Sequence, residues 1–438
     1  MTRRVLEIND LELIAADRER VLLRSPAVVT CHPGADAGKV LVGTAAARQA
    51  RINPRATHDR FWSWLDDAPM ARPAPPARSH ADLAWLHLRE VVAEVGRHSP
   101  GWLVAVPAGF DERALGLLLG IARRLDIGID ALVAAPVAAA AAAGAKRDTI
   151  VIDAFRANFS ADRVIFESDH WQLEKPRVLE GGGLGALTDA WARLVADAFV
   201  AQTRLDPAHD AAVEQALYDR LPEWLERLRT SDRTEAVLPV GGQQYRAELE
   251  RAPFARAAEP FADALEKEIE RAGDVAVVVR HRLARLTGFE RLFAAGSPGR
   301  PSVLDETALS AEILARQEAL TDSDGEGVLH VVRVPADRSA TPTAGTGSAA
   351  EPGPAPLHVL IGDRAVAVPD ASEAPLELPG AGGAKLRLDA SGRAVVECGE
   401  ASGVTVNGEP ATDRVEVQAG DRVAVDGESY VLLRVDRR

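Results

Sequence analysis

Residues 335–356 read PADRSATPTAGTGSAAEPGPAP, a run of Pro, Ala, Thr, Gly and Ser with almost no apolar side chain to bury. Such a segment cannot build a core of its own, so it is expected to be a disordered linker between two folding problems. Before it, residues 1–334 alternate between strand-like and helix-like patterns. After it, residues 357–438 lose the helical pattern altogether. Short alternating segments there (LHVLIG, KLRLD, AVVEC, VTVNG, RVEVQ, RVAVD, YVLLRV) are separated by Gly and Asp turns, the pattern of a compact antiparallel β-sandwich.

The first part repeats one design. Residues 5–24 spell short strands, VLEIN and then LELIAAD and RVLLR, as a tight hairpin feeding a third strand. KVLVG runs into a helical start that Asn53 and Pro54 stop. A helix begins at Ser79, with Ser79 and Asp82 as a cap pair and Leu83, Leu86, Val91, Val92 and Val95 as its apolar stripe. A buried strand over 102–106 and a helix over 111–125 follow. The order then starts again: strands over 149–153, 162–166 and 170–173, a glycine turn at Gly181, Gly182 and Gly183, and helices to 229. A hairpin turning at Gly241 and Gly242, a helix over 260–272, a strand over 275–279 and a helix over 283–294 complete it. Periodicity thus implies a duplicated α/β architecture.

Composition narrows the function classes. The 438-residue chain carries a formal charge of −14, which argues against non-specific nucleic-acid binding, although Arg48, Arg51, Arg55 and Arg60 fall close together. Its two cysteines, Cys31 and Cys398, exclude a disulfide framework, and no Cys/His spacing suggests a metal site. The longest apolar stretch, 131–143, is too short to span a bilayer, and the N-terminal residues do not form a signal peptide. A cytoplasmic location with no membrane insertion is expected.

Three segments carry a family resemblance. VGTAAARQARINPRAT (42–57), WLVAVPAGFDERALGLLLGIARRLDIGIDALVAAPVAAAAAAG (102–144) and SDRTEAVLPVGGQQYRAELERAPF (231–254) resemble, in order and spacing, the nucleotide-binding domain of the 70-kDa heat-shock chaperones. The match runs over roughly residues 3–320. It implies the actin-type fold, two lobes with ATP and Mg in the cleft between them. The positions implied for nucleotide contact are Asn9, Asp153, Gly181, Gly182 and Gly183.

The departures from that family are as informative. Its first phosphate loop needs glycine for close backbone approach, but the corresponding stretch here is EINDLEL, with Asn9 where the family's Asp would stand and Asp10 beside it. Its second loop is an Asp and a glycine run; here DAFRANF keeps Asp153 and puts Phe155, Arg156 and Ala157 in place of the glycines. Ala135 stands for the family's Glu, and the adenosine turn reads VVRHRL, residues 278–283. Metal-bridged phosphoryl chemistry depends on those groups. Neither a catalytic residue nor a resident cofactor is therefore expected.

Residues 357–436 resemble a forkhead-associated domain through VTVNGEPATDRVEVQAGDRVAV, with Asn407 and Gly408 as the partner-loop pair. The family's phosphate-reading Arg and Ser have no counterpart: Arg364 follows IGD, and 380–383 is glycine-rich where the Ser region should be. The same Asn-Gly pair also reads as a type I′ hairpin turn. Together these features point to a chaperone-related pseudo-ATPase acting as a scaffold or adaptor for a protein partner, itself a related chaperone-type ATPase. A divergent active ATPase and an actin-like filament protein are the alternatives.

Overall fold

The computed structural model describes residues 3–32, 39–72, 74–96, 101–174, 176–179, 181–293, 301–321, 328–337 and most of 357–437. The linker expected over 335–356 therefore lies mostly outside the described residues, as does 380–383.

The chain forms mixed α/β structure. Its first unit contains β1 (Arg4–Ile8), β2 (Glu12–Ala16), β3 (Val21–Pro26), β4 (Val29–Cys31), β5 (Val40–Val42), α1 (Thr44–Ala47) and β6 (Thr57–His58). α2 (His80–Val95), β7 (Trp102–Val106), α3 (Glu112–Arg124), β8 (Ile129–Ala134) and α4 (Ala135–Ala143) follow. The second unit contains β9 (Thr149–Ala154), β10 (Phe159–Glu167), β11 (His170–Leu173), β12 (Val178–Leu179), α5 (Leu184–Thr203), α6 (Ala211–Thr230), β13 (Arg233–Val240) and β14 (Gln243–Glu250). It continues through α7 (Arg251–Ala272), β15 (Ala276–Val279), α8 (His281–Ala284), β16 (Ser302–Val303), α9 (Ala308–Ala315), α10 (Gln317–Leu320), β17 (Val328–Val331) and β18 (Arg333–Pro335).

The two main sheets share a strand order. In the first it is β3-β2-β1-β7-β8, with β1 to β3 antiparallel and β7 and β8 parallel to β1, and β17 continues this sheet in parallel beyond β8. In the second it is β11-β10-β9-β15-β16, antiparallel and parallel in the same places. Side-chain alternation explains how both faces are used. Leu6, Ile8, Val104 and Val106 face the core under α2 and α3, whereas Val5, Leu103 and Ala105 face α4 and α9. In the second sheet Ile150, Ile152, Val277 and Val279 face α5, α6 and α7, while Val151, Val164 and Val278 face α4 and α9. Helix α4, APVAAAAAA, thus lies between the sheets, and its small side chains let them approach closely.

Local chemistry sets the element ends. Ser79 and Asp82 form the expected capping box at α2. Three boundaries differ from the sequence pattern. The helix expected to run on until Asn53 and Pro54 is the single turn α1, which ends at Ala47. α7 starts at Arg251 and carries Pro260 inside it, on an exposed turn. The helix expected over 283–294 is instead the short α8 and a 3-10 turn at Glu290–Phe293, with Ala294 outside the described residues. Gly288 breaks it: its φ is 93°, and a Cβ there would meet the Cβ of Ala258 at 2.7 Å.

Beyond the linker, Lys385–Leu388, Ala394–Glu397 and Arg414–Val417 pair in one antiparallel sheet. Leu357–Ile361, Val404–Val406, Arg422–Val425 and Glu428–Arg437 belong to another. Val359, Leu386, Val396, Val423, Tyr430 and Leu432 form the core. The final strand, Glu428–Arg437, also pairs in parallel with β17, Val328 opposite Val435. Among the described residues no helix is long and apolar enough to cross a membrane.

Candidate functional site

β1 ends at Ile8, and the chain turns at Asn9 and Asp10 into β2. Asn9 holds that turn: its Oδ1 accepts from the Leu11 amide (2.9 Å), and its Nδ2 donates to the Ala154 carbonyl of the second unit (3.2 Å). Asp10 reaches further. One oxygen accepts from the Arg156 amide at 2.6 Å, and the other from the Ala157 amide at 3.2 Å and the Ser63 hydroxyl at 2.5 Å. The backbone N–H groups of the loop after β9 are therefore occupied by a carboxylate from the first unit.

The glycine run closes on the same loop from the other side. Gly181 and Gly182 have φ of 108° and 100°, which only glycine adopts easily. Gly183 lies so close to the loop that a Cβ would meet the Asn158 nitrogen at 2.2 Å and the Phe155 oxygen at 2.5 Å. The amides of Leu184 and Gly185, which open α5, donate to Phe155 and Arg156 carbonyls at 2.8 and 3.0 Å. Asn9 and Gly183 thus contact the loop that follows Asp153, whereas a Cβ on Gly182 would meet Ala186 and Phe261 and one on exposed Gly181 would meet nothing within 4 Å.

Below this crossing is a buried ion cluster. Arg280 follows β15, its amide donating to the Ile152 carbonyl at 3.0 Å, and its side chain is 1% exposed. Its Nη2 bonds both oxygens of Glu7, on β1, at 2.7 and 2.8 Å. Arg282 Nη1 lies 2.7 Å from Glu7 and 3.4 Å from Asp153, and its Nε lies 3.4 Å from Glu12. Arg24 closes the set on Glu12 at 3.1 Å. Glu7, Glu12 and Asp153 thus face Arg24, Arg280 and Arg282 across the two units, and Arg24 also pairs with Glu306. Burial alone would push the Glu7 carboxyl up; Arg280, Arg282 and His281 outweigh it and hold the group well below the usual carboxylate range. At Asp153 burial wins and raises the carboxyl, despite Arg282 and Arg280.

The space left is small. A cavity of about 10 Å³, bounded by Pro107, Pro136, Asp153, Ser160, Asp162 and Arg280, has room for about one water molecule. Burial pushes the Asp162 carboxyl up to about 7, helped slightly by Asp153, against the nearby Ser160 hydroxyl and a hydrogen bond from the Arg177 amide. A carboxyl raised in the folded state binds a proton the unfolded chain has already released, so its contribution falls as pH rises from about 4 to about 7. Asp162→Asn should therefore match the wild type near pH 4 and exceed it by on the order of 2–4 kcal/mol at pH 8. Urea unfolding across that range checks this; a pH-independent difference would refute it.

The signal for the cluster was present in the sequence. Glu7 interrupts the apolar strand VLEI, and a buried acid requires a cation. Arg280 and Arg282 follow a buried strand in VVRHRL, yet nothing in the spacing pairs them with Glu7. Trp62 is buried as a packing residue, whereas Trp64 is 51% exposed. In the C-terminal sheet Asn407 and Gly408 form a two-residue hairpin turn with φ of 52° and 87°. Asn407 donates to Asp421 at 2.8 Å and accepts from the Arg422 amide at 2.9 Å, which engages both ends of its side chain. Among the described residues no group of three or more His, Cys, Asp or Glu is arranged to hold a metal.

No family model matches the chain, and no curated protein matches it.

Proposed function

We propose that this chain is a chaperone-related actin-fold pseudo-ATPase, a scaffold or adaptor for protein partners with the C-terminal β module as its second contact. The observation that carries this reading is the filled floor between the units. Arg280 and Arg282 engage Asp153, the one acid retained from the resemblance, and together with Arg24 they balance it and the neighbouring Glu7 and Glu12. Asp10 takes the loop amides that would cradle phosphate oxygens. The 10 Å³ left at the floor compares with several hundred for an ordinary small-molecule site; a second cavity of about 570 Å³ between the units is lined instead by Arg51, Arg60, Arg156, Asp59 and Asp189. The shared strand order of the two sheets, with α4 and α9 between them, supports the actin-type part of the reading.

In this scheme the chain's own charges do what a bound nucleotide does in an active relative: they hold two units at one angle. A fixed angle suits a docking platform, and the partner we propose is a chaperone-type ATPase. The β module, whose final strand pairs with β17, would present a second contact surface beside the first. Calorimetry with Mg–ATP and a phosphate-release assay test the central claim. No saturable heat and no turnover above the buffer blank are expected. Turnover that disappears in Asp153→Ala would replace this reading with that of a divergent ATPase.

A further inference from the structure

Arginines over much of this acidic chain are answered by an acid, as Arg3 is by Asp130, Arg163 by Asp148 and Arg233 by Glu248. A row of them where the first unit meets the β module is different. On α2 the Arg89 guanidinium lies 4.7 Å from the centre of the Trp85 ring, and that of Arg124, on α3, lies 5.0 Å from the same ring. Arg123 stands next to Arg124 in the last turn of α3. α3 also packs against Arg364–Ala367 of the β module, which brings that module up to the helix. In the strand Arg422–Val425, Val423 and Val425 point into the core of the β module. Arg422 therefore lies on its outer face, exposed. Burial first, and then the charge of Arg422, push the Arg123 guanidinium below its usual range.

Among the described residues Arg89, Arg123 and Arg422 form no ion pair. Asp421, the acid beside Arg422, is held elsewhere: it accepts from the Asn407 side chain and the Gln418 amide, each at 2.8 Å. The negative end of the α3 dipole suits arginines on its own last turn. A further guanidinium brought up from another module adds repulsion. The row crosses two helices and a strand packed about 10 Å apart, so it extends on the order of 20 Å. A single small anion would meet one or two of these groups, whereas an extended peptide of about six residues would pass along them all. A guanidinium stacked on an indole, as Arg89 is, keeps its N–H edge available to a carboxylate. A nucleic-acid strand would need an open aromatic face for its bases, and Trp85 is already engaged by two arginines.

We propose that Arg89, Arg123 and Arg422 form a docking surface for an acidic segment of a partner protein, laid across the seam between the first unit and the β module. The proposal rests on the adaptor reading and deepens it by stating the chemistry the partner presents. Both modules contribute, so the surface exists only while the β module is held against α3, and the pairing of its final strand with β17 serves recognition. Exposed ion pairs are worth little singly, so affinity comes from several together and falls as salt rises.

The test uses the full chain and a fluorescein-labelled peptide of about eight glutamates, read by anisotropy at low salt. The wild type should bind it saturably and release it as salt rises. The double variant Arg123→Gln, Arg422→Gln should bind on the order of tenfold more weakly. The control Arg220→Gln, Arg256→Gln makes the same change of charge at exposed positions of α6 and α7, and it should bind as the wild type does. Without peptide the thermal midpoint of the seam variant should equal or exceed that of the wild type, because a repulsion is gone; a structural tie would lower it. If the seam variant does not fold, Arg89→Gln, which lies off the seam, should weaken binding severalfold with an unaltered circular dichroism spectrum. No saturable binding by the wild type, or equal weakening in the control, would overturn the surface. Tighter binding of a single-stranded oligonucleotide of equal charge through the same arginines would overturn the assignment to a protein. ATP turnover would sink the pseudo-ATPase reading and leave this surface standing, and failed peptide binding would leave that reading intact.

Discussion

Glu7→Ala is expected to lower stability by about 3–5 kcal/mol, enough to leave much of the protein unfolded at 37 °C. The carboxylate answers two guanidiniums that have almost no contact with water, Arg280 and Arg282. Truncating it removes the close charge-assisted contacts at 2.7 Å and leaves Arg280 with Asp153 at 3.8 Å and Arg282 with Asp153 and Glu12 at 3.4 Å each. The sign of the pH dependence follows from its depressed pKa: its contribution is present above the unfolded carboxyl's range and is lost only as pH falls through the much lower folded value. Wild type should therefore resist mild acid at this site better than an ordinary surface acid would, and Glu7→Gln should remove that resistance. Urea unfolding followed by Trp fluorescence, with Arg280→Met and the double variant completing a cycle, measures the coupling. A loss below about 1 kcal/mol, or strict additivity with Arg280→Met, would show that the cluster is not the cross-unit tie the geometry implies.

This cluster also marks where sequence reading ends. The strands around it were legible because they are short, mostly apolar runs bounded by turn residues, buried on both faces, as at β1, β9 and β15. The cap of α2 was legible because Ser79 and Asp82 are three residues apart and act locally. The site depends on contacts between positions more than a hundred residues apart: Glu7 with Arg280, Asp10 with Arg156, Arg51 with Gln215. No local pattern encodes such a pair. The loss of glycines in EINDLEL and DAFRANF indicated that something had replaced a phosphate cradle. It did not indicate that the replacement would be a carboxylate from the opposite unit. Gly183 is the complementary case. Its retention resembles a ligand loop in sequence, while in three dimensions it allows two backbone segments to touch.

Asp10→Ala should turn the occupied loop into an anion site. In the wild type the Asp10 carboxylate accepts from the Arg156 amide, the Ala157 amide and the Ser63 hydroxyl, three donors gathered around one buried acid. Successive backbone amides presented this way bind anions whether or not the anion is covalently part of the chain. Removing the carboxylate leaves the donors with no acceptor, at a cost of about 1–3 kcal/mol. An added oxyanion of similar size can then recover part of that loss, adding RT ln(1 + [L]/Kd) to stability. Thermal unfolding of Asp10→Ala should therefore rise with phosphate or sulfate well beyond its response to chloride at equal ionic strength. The wild type should show no such difference, because its site is already filled. Asp10→Asn, which keeps one acceptor oxygen, should fall between them. Equal responses of wild type and Asp10→Ala to phosphate would mean that the amides are not poised as a cradle. The internal carboxylate would then be an ordinary turn contact, and the filled-floor argument would stand on the arginine cluster alone.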